Sequence, residues 1–219
     1  MTWTRPPSWL KWFYRSSRWS NWTAQPVLFS FDDGPGQDTP ALLDLASEYD
    51  MKFLFFLLPE SAKNHPDIVR RMASEGHLIG THFAKHRRYF RVRKSRFLRD
   101  LSESAQEIKN ISGNPVHLCR APHGQIFPWQ EKWIRSAGFQ HVFWNLDSQD
   151  YRDGPEEAIV QRMCSQIQHN DIVLMHDGPG AHPDIVGIAE RILERTAGDV
   201  WDNPGKNEPQ NSPCHLSGE

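Results

Sequence analysis

Phe29-Ser30-Phe31-Asp32-Asp33-Gly34-Pro35 is the stretch that decides the fold. It continues the apolar run that begins at Pro26, so the run leads into two adjacent carboxylates and stops at a Gly-Pro turn. This pattern predicts a buried strand with two acids at its carboxyl end. Two neighbouring buried carboxylates do not both stay ionised without a cation, so we expect a metal ion or an arginine beside them. An Asp-Asp-Gly-Pro surface turn is the alternative interpretation of this stretch alone.

Length and composition indicate a globular domain. The chain has 219 residues, 38% of them hydrophobic, which is enough to bury one full core. The net charge of −2 gives no pull toward nucleic acid, so no nucleic-acid partner is expected. Three widely spaced cysteines offer no disulfide framework, which favours a reducing compartment. We recognise no signal-peptide core and no apolar run long enough to span a bilayer, and therefore predict a cytoplasmic or peripheral membrane location.

The composition divides the chain into three parts. Residues 1–25 are rich in aromatic and basic side chains, and no acid precedes Asp32. This segment either caps one open end of the core or lies on an anionic membrane surface. Residues 26–201 form the predicted main domain. Residues 202–219 are rich in Asn, Pro, Gly and Ser and are predicted to be a loose tail.

Strands and helices alternate through the main domain. After the acidic stretch, strands are predicted at 51–58, 77–81, 116–120, 139–146 and 171–175. Helices are predicted at 39–49, 65–74, 95–111, 129–136, 155–168 and 183–196. The six strands are mostly too apolar to have a wet face, which predicts an α/β fold with a parallel sheet covered by helices. The pattern leaves open whether that sheet is a barrel or a doubly wound sheet.

Chemically active side chains recur just after the predicted strands. They are Asp32 and Asp33, His82 and His86, Arg120, Asp147 and Asp150, and His176 and Asp177. The carboxyl ends of parallel strands lie at the same edge of a sheet, so we expect these side chains to share one cleft.

His82 and His86 suggest a metal site. They are four residues apart, and on a helical turn both imidazoles would face the same way. Together with one carboxylate of the Asp pair they would form a two-histidine, one-carboxylate site with open positions. Such a site suits zinc or another divalent transition metal.

Five ordered segments resemble the motifs of the polysaccharide deacetylases, the NodB-homology domain of carbohydrate esterase family four. They are Ser30-Phe31-Asp32-Asp33-Gly34-Pro35, Gly80-Thr81-His82-Phe83-Ala84-Lys85-His86, Arg120-Ala121-Pro122-His123-Gly124, Asp147-Ser148-Gln149-Asp150-Tyr151 and Ile172-Val173-Leu174-Met175-His176. The resemblance runs from about Val27 to Thr196. It implies a distorted (β/α) barrel with about six or seven parallel strands, and it implies that 26–201 is a catalytic domain.

The resemblance implies a role for each ionisable residue. Asp33, His82 and His86 match the family's metal ligands, which implies a divalent ion, zinc first, with cobalt, nickel or iron as alternatives, and no organic cofactor. Asp32 matches the general base and Arg120 the residue that orients it. His176 matches the general acid, with Asp150 as its carboxylate partner.

The resemblance also implies a substrate and its contacts, namely an N-acetylated amino sugar or glycan whose acetyl group is removed. The turn of Pro122, His123 and Gly124 would supply a main-chain N–H to the oxyanion. Leu174 matches the apolar wall against the acetyl methyl group, and Tyr151 stands in the substrate pocket.

Three positions depart from the family pattern. Phe83 stands where Ser or Thr is common, His123 where Tyr is usual, and Tyr151 replaces Trp. They motivate an alternative, a non-catalytic glycan- or membrane-surface-binding module that retains a structural metal site. A hydrolase of a non-sugar amide is a further alternative.

The basic run 87–96 directly follows the second histidine. It is either a solvated helix start or a surface that attracts an anionic or lipid-linked substrate, since guanidinium groups suit phosphate.

Overall fold

A computed structural model of the chain describes residues 4–152 and 154–196. Its strands are β1 (Leu28–Asp32), β2 (Leu54–Leu57), β3 (Leu78–Thr81), β4 (Leu118–Cys119), β5 (Gln140–His141), β6 (Leu146–Asp147) and β7 (Ile172–His176). All seven strands are parallel and form one curled sheet in the order β5-β4-β3-β2-β1-β7-β6. The prediction of a distorted barrel with about six or seven parallel strands is confirmed.

Helices alternate with the strands and cover the outside of the sheet. Those in the described ranges are α1 (Ser8–Phe13), α2 (Thr39–Glu48), α3 (Pro59–Asn64), α4 (Pro66–Ser74), α5 (Lys94–Ser112), α6 (Pro128–Ser136), α7 (Glu156–Gln166) and α8 (Ile185–Thr196), with a 3₁₀ turn at Pro122–Gly124. In 4–152 and 154–196, none of them is long and apolar enough to cross a membrane. The predicted tail, 202–219, lies outside the described residues.

Strand β1 lies inside the sheet, between β2 and β7, and all five of its residues are buried. Phe29 and Phe31 point outward into the core under the helices, while Leu28 lies in the interior of the barrel. Side chains alternate along a strand, so Ser30 and Asp32 share the inward face with Leu28. The acidic end of the apolar run is thereby delivered to the carboxyl mouth of the barrel.

The predicted single strand 139–146 is wrong. Its ends form two strands at opposite edges of the sheet, β5 beside β4 and β6 beside β7. Arg18 from the N-terminal segment pairs with the chain between them: its N–H donates to the His141 carbonyl over 2.9 Å, and its carbonyl accepts from the Phe143 N–H over 2.8 Å. Hydrophobicity alone does not reveal this break, because Val142 and Phe143 remain buried.

The N-terminal segment packs on the barrel at several points. Trp19 is buried and stacks on Phe143 with ring centroids 4.1 Å apart. Leu10 and Tyr14 pack against the same cluster. Arg5 forms an ion pair with the buried Asp171. These contacts cover one end of the core.

Candidate active site

The carboxyl ends of the strands surround a cavity of about 310 Å³, within the usual size range of small-molecule sites. Its lining is Asp32, Asp33, His82, His86, His123, Gln125, Trp144, Asp147, Tyr151, Leu174, His176, Pro179 and Gly180. The structure thus gathers the predicted strand-end residues in one place. Register contributes directly, because Asp32 of β1 is paired with His176 of β7.

Asp32 is held by a buried arginine. Arg120 is fully buried and donates to Asp32 Oδ1 over 2.8 Å and to Ser30 Oγ over 2.9 Å. The rest of the guanidinium donates to the main-chain carbonyls of Val142 and Phe143. With four of its five N–H groups engaged by these acceptors, the guanidinium is the fixed positive partner that the acidic pair requires.

Asp33, His82 and His86 converge on one point. Their ligand atoms all lie within 4.8 Å of one another. Asp33 Oδ1 is 3.5 Å from Nε2 of His82 and 3.5 Å from Nε2 of His86. These distances leave room for a cation between the three atoms.

The donor set fits a divalent metal ion. Asp33 Oδ1 is buried and has no hydrogen-bond partner in the structure, which is costly for a carboxylate unless a cation compensates. Burial lowers the pKa of both His82 and His86. The imidazoles are therefore neutral at physiological pH, the form that binds a metal. Two nitrogens and one carboxylate oxygen suit zinc or a similar ion.

The two histidines do not lie on a helical turn as predicted. The segment from His82 to His86 is a loop, and Phe83 has a φ of 66°. This bend turns the Phe83 ring away from the cavity and into the core, against Tyr89 and Phe97. The departure at Phe83 therefore contributes packing to the loop that presents the histidines.

His176 is paired with a buried carboxylate. Its Nδ1 lies 3.0 Å from Asp150 Oδ1, and its main-chain N–H donates to Asp150 Oδ2 over 2.9 Å. Burial by itself lowers the pKa of His176, but the charge and hydrogen bond of Asp150, aided by Asp32 and Asp33, raise that pKa to about 9. The ring is therefore a cation near neutral pH, with Nε2 as its second N–H.

The predicted substrate-contacting residues surround the same cavity. Leu174 is almost fully buried and lines it, and the exposed Tyr151 ring meets His176 edge-on with centroids 5.4 Å apart. In the 3₁₀ turn, the Gly124 N–H already donates to the Ala121 carbonyl, and a proline has no N–H. His123, whose φ is 59°, is then the residue of this turn whose N–H no described contact engages.

Sequence reasoning missed Trp144 and Gln125 in the lining. Trp144 lies against Arg120, whose guanidinium carbon is 5.5 Å from the centroid of the Trp144 ring. The same guanidinium carbon is 4.3 Å from the centroid of the Phe56 ring. Within an apolar run a tryptophan looks like any core residue, so no signal identified it.

Asp177 supports the acidic loop from behind. It is fully buried, accepts from Thr39 Oγ1 over 2.6 Å, and its main-chain N–H donates to the Asp32 carbonyl over 3.1 Å. Burial raises the pKa of Asp177 to about 7. The sequence placed Asp177 at the strand end together with His176, but it gave no indication that Asp177 contacts the chain at Asp32.

The basic run 87–96 is partly neutralised. Arg87 and Arg96 both form ion pairs with the buried Asp100, at 2.6 Å each. Arg91 lies over the Phe90 ring. Arg88 is exposed; burial lowers the pKa of His123, and the nearby charges of His86 and Arg88 lower it further.

The comparisons with known proteins agree with this geometry. A family model described as polysaccharide deacetylase matches residues 20–142. A peptidoglycan-N-acetylglucosamine deacetylase of Bacillus cereus is 31% identical over 183 residues, which cover 83% of this chain and 66% of that protein. A chitooligosaccharide deacetylase of Rhizobium leguminosarum is 31% identical over 169 residues, which cover 74% of each chain. The chain thus spans about two thirds to three quarters of the length of these relatives.

A solved structure gives the same result. The crystal structure of a peptidoglycan N-acetylglucosamine deacetylase in complex with 4-naphthalen-1-yl-N-oxidanyl-benzamide superposes with a TM-score of 0.79 at 28% identity. The superposition covers 91% of this chain and 94% of that one.

Proposed function

Because the chain belongs to the polysaccharide deacetylase family, we propose that it hydrolyses the N-acetyl amide of an amino sugar or glycan with a divalent metal ion at Asp33, His82 and His86. In this proposal residues 26–201 are the catalytic domain. One observation carries the proposal: the Asp32–Arg120 pair, the three metal-binding side chains and the Asp150–His176 pair all meet at one cavity.

The metal-binding residues would hold the ion at the mouth of β1. When bound, the ion polarises the substrate carbonyl and makes a water molecule a better nucleophile. Zinc fits the two imidazoles and one carboxylate, and cobalt, nickel or iron are alternatives. Neutral His82 and His86 need not lose a proton to bind it.

Asp32 acts as the general base. Its Oδ1 is engaged by Arg120, while Oδ2 remains on the side of His82, 3.9 Å from His82 Nδ1. The ion pair with Arg120 fixes the orientation of this carboxylate, so Asp32 is placed to accept a proton from the attacking water. The water oxygen then adds to the acetamide carbon.

His176 acts as the general acid. Asp150 keeps the imidazole protonated near neutral pH, and the proton on Nε2 is available to the departing amine nitrogen. The C–N bond breaks as this proton is transferred. The products are acetate and the free amino sugar.

The turn after β4 and the end of β7 position the acetyl group. The His123 N–H would donate to the carbonyl oxygen as negative charge develops there. Leu174 would receive the acetyl methyl group, since it is the aliphatic side chain in the cavity lining. Tyr151 stands at the exposed side, where a sugar ring enters.

The names of the relatives support a substrate class for the present chain. They are named for deacetylation of peptidoglycan N-acetylglucosamine and of chitooligosaccharides. We propose an N-acetylated glycan of this kind for the present chain. An anionic or lipid-linked form of it is a further proposal, supported by the exposed Arg88 beside His123.

A non-catalytic binding module is the second candidate. It is motivated by Phe83, His123 and Tyr151. Against it, a structural metal clip has no use for a buried base–arginine pair or for a histidine whose pKa is raised to about 9. A non-sugar amide would be hydrolysed by the same groups, and a failure of the metal-loaded protein to release acetate from any N-acetylated glycan would favour that alternative.

Two variants test the roles at the site. Asp32→Asn removes the base and not a metal ligand, so we expect metal to bind as in the wild type while acetate release falls by roughly a thousandfold. His82→Ala removes a ligand, so we expect loss of stoichiometric metal.

Metal content by elemental analysis and acetate release from N-acetylglucosamine oligomers are the two measurements. His117→Ala, at an exposed histidine, is the matched control and should match the wild type in both. Retained turnover in Asp32→Asn would refute the base assignment. Wild-type metal content in His82→Ala would refute the metal site.

A further inference from the structure

The N-terminal helix α1 carries an exposed aromatic cluster. Trp9, Trp12 and Phe13 are 58%, 61% and 49% exposed. They are three of the five large apolar side chains exposed in the described part of the chain. Their spacing of three and four residues places them on one face of the helix, away from Leu10 and Tyr14, which pack inward.

Basic side chains surround this cluster. Arg15 lies over the Trp12 ring, 4.9 Å from its centroid, and Arg18 lies over Trp22 at 5.1 Å. Both arginines are exposed, and neither forms an ion pair with a described carboxylate. Lys11 adds a third cation, and no acidic residue precedes Asp32 in the sequence. The surface is therefore apolar at its centre and positive around its edge.

We propose that Trp9, Trp12 and Phe13, with Lys11, Arg15 and Arg18, dock the protein on the surface of an anionic lipid bilayer. Tryptophan and phenylalanine side chains partition into the interfacial region, and cations beside them are attracted to anionic headgroups. Each such cation strengthens binding roughly fivefold. The contact is peripheral.

Two other occupants fit the surface less well. Phe13 meets Trp9 and Trp12 edge-on, at interplanar angles of 87° and 89°. The rings therefore present no flat platform on which a sugar face could stack. The three side chains are about half exposed, so together they offer roughly 300 Å² of accessible surface for burial. A stable dimer buries about 800 Å² of accessible surface on each partner, so this cluster is too small for a dimer interface.

The docking surface lies beside the active-site cavity. Leu10 of α1 lines a small cavity together with Trp144 and Asp147. Trp144 and Asp147 also line the main cavity. A bilayer bound at α1 would therefore hold the mouth of the barrel near the membrane, where glycans attached to lipid are found. Docking itself requires neither metal nor catalysis, so its test is independent of the proposed deacetylation.

Vesicle cosedimentation of the full chain tests the proposal. The probes are vesicles of phosphatidylcholine alone and of phosphatidylcholine with 30% phosphatidylglycerol, roughly the content that gives a clear negative surface potential. We expect binding to the anionic vesicles that weakens at high salt. The triple variant Trp9→Ser, Trp12→Ser, Phe13→Ser should lose at least tenfold in affinity. The double variant Arg15→Gln, Arg18→Gln should lose roughly twenty-five-fold on anionic vesicles, from two cations of about fivefold each.

Trp129→Ser is the matched control, since Trp129 is 51% exposed on α6, outside the docking surface, and it should bind vesicles as the wild type does. Circular dichroism confirms that each variant is folded. Equal binding by the triple variant, or no binding of the wild type to anionic vesicles, would overturn the proposal. If the wild type is a dimer and the triple variant is a monomer, the surface binds a second copy of the chain and the proposal is overturned. If the wild type binds no vesicles and the triple variant loses affinity for a glycan, the surface binds a sugar and the proposal is likewise overturned.

Discussion

Replacing Asp150 by asparagine removes the charge that keeps His176 protonated. The amide retains an oxygen that can accept from the ring N–H, so the main change is electrostatic. In the folded protein the pKa of His176 is about 9, against an ordinary value of 6.5. Without Asp150, burial favours the neutral ring, and the pKa should fall to 6.5 or below.

The size of the effect follows from these two values. At pH 8 a group with a pKa of 9 is about 90% protonated, and one with a pKa of 6.5 is about 3% protonated. If His176 is the general acid, activity at pH 8 should therefore fall about thirtyfold, and the alkaline limb of the pH profile should move from about pH 9 to about pH 6.5 or lower. At pH 6 the loss should be much smaller.

The same shift affects stability. Because folding raises the pKa of His176, its pairing with Asp150 stabilises the folded state fully below pH 6.5, and this stabilisation is lost as the pH rises through about 9. The difference of 2.5 pKa units corresponds to about 3 kcal/mol. Asp150→Asn should therefore lower the unfolding free energy at pH 6 by about that amount and by much less at pH 10.

The assays are a pH–rate profile of acetate release and NMR titration of the His176 ring in chelator-treated protein. The titration needs no activity, so it remains informative if the substrate is a different amide. Asp147→Asn is the matched control, because the Asp147 carboxylate forms its hydrogen bonds with Gln149 and Tyr151 and interacts with the imidazole only through its charge, so it should shift the ring pKa much less than Asp150→Asn does. An alkaline limb and a ring pKa that stay within about half a unit of wild type in Asp150→Asn would refute the reasoning.

Two further predictions concern the support of the site. Gly34→Ala should lower the free energy of unfolding in urea by about 1–3 kcal/mol, because a Cβ there would lie 2.2–2.5 Å from the Asp177 carboxyl group. In the control Gly154→Ala the new Cβ has no atom within 4 Å, so the free energy of unfolding should change by less than about 0.5 kcal/mol. Equal stabilities of the two variants would contradict this prediction. Ser17→Ala should lower the free energy of unfolding by about 1–3 kcal/mol, because Ser17 Oγ lies 3.0 Å from Nδ1 of the buried His141 and also donates to the buried Glu131. An unchanged free energy of unfolding in urea would show that these hydrogen bonds do not stabilise the fold.

Much of the site could be predicted because its chemistry lies at strand ends. An apolar run that stops at Asp32 and Asp33 indicates a buried strand with two acids at its carboxyl end. Repeated polar residues after later strands then indicate one shared edge. A cation beside the two acids could be anticipated as well, since buried adjacent acids need one, while its assignment to Arg120 came from the family resemblance. These inferences depend on local sequence and on the known geometry of parallel sheets.

The remainder depends on contacts between distant segments. The division of 139–146 into β5 and β6 depends on how the sheet curls, and the apolar pattern is the same in either arrangement. Trp144 lies in the segment between these two strands and lines the cavity. The prediction that His82 and His86 lie on a helical turn is wrong. The two rings meet because the chain between them is a loop that bends at Phe83, where φ is positive. A non-glycine residue in that conformation cannot be identified from spacing.

The most direct test of the central claim is acetate release by metal-stripped protein, with and without one equivalent of zinc, cobalt, nickel or iron. The substrates are N-acetylglucosamine oligomers, peptidoglycan fragments and lipid-linked N-acetyl amino sugars. We predict no release by the stripped protein and restored release from at least one of these glycans when the ion is added. Release at full rate without any metal, or no release from any glycan with an ion bound stoichiometrically, would contradict the assignment of this barrel as a metal-dependent glycan deacetylase.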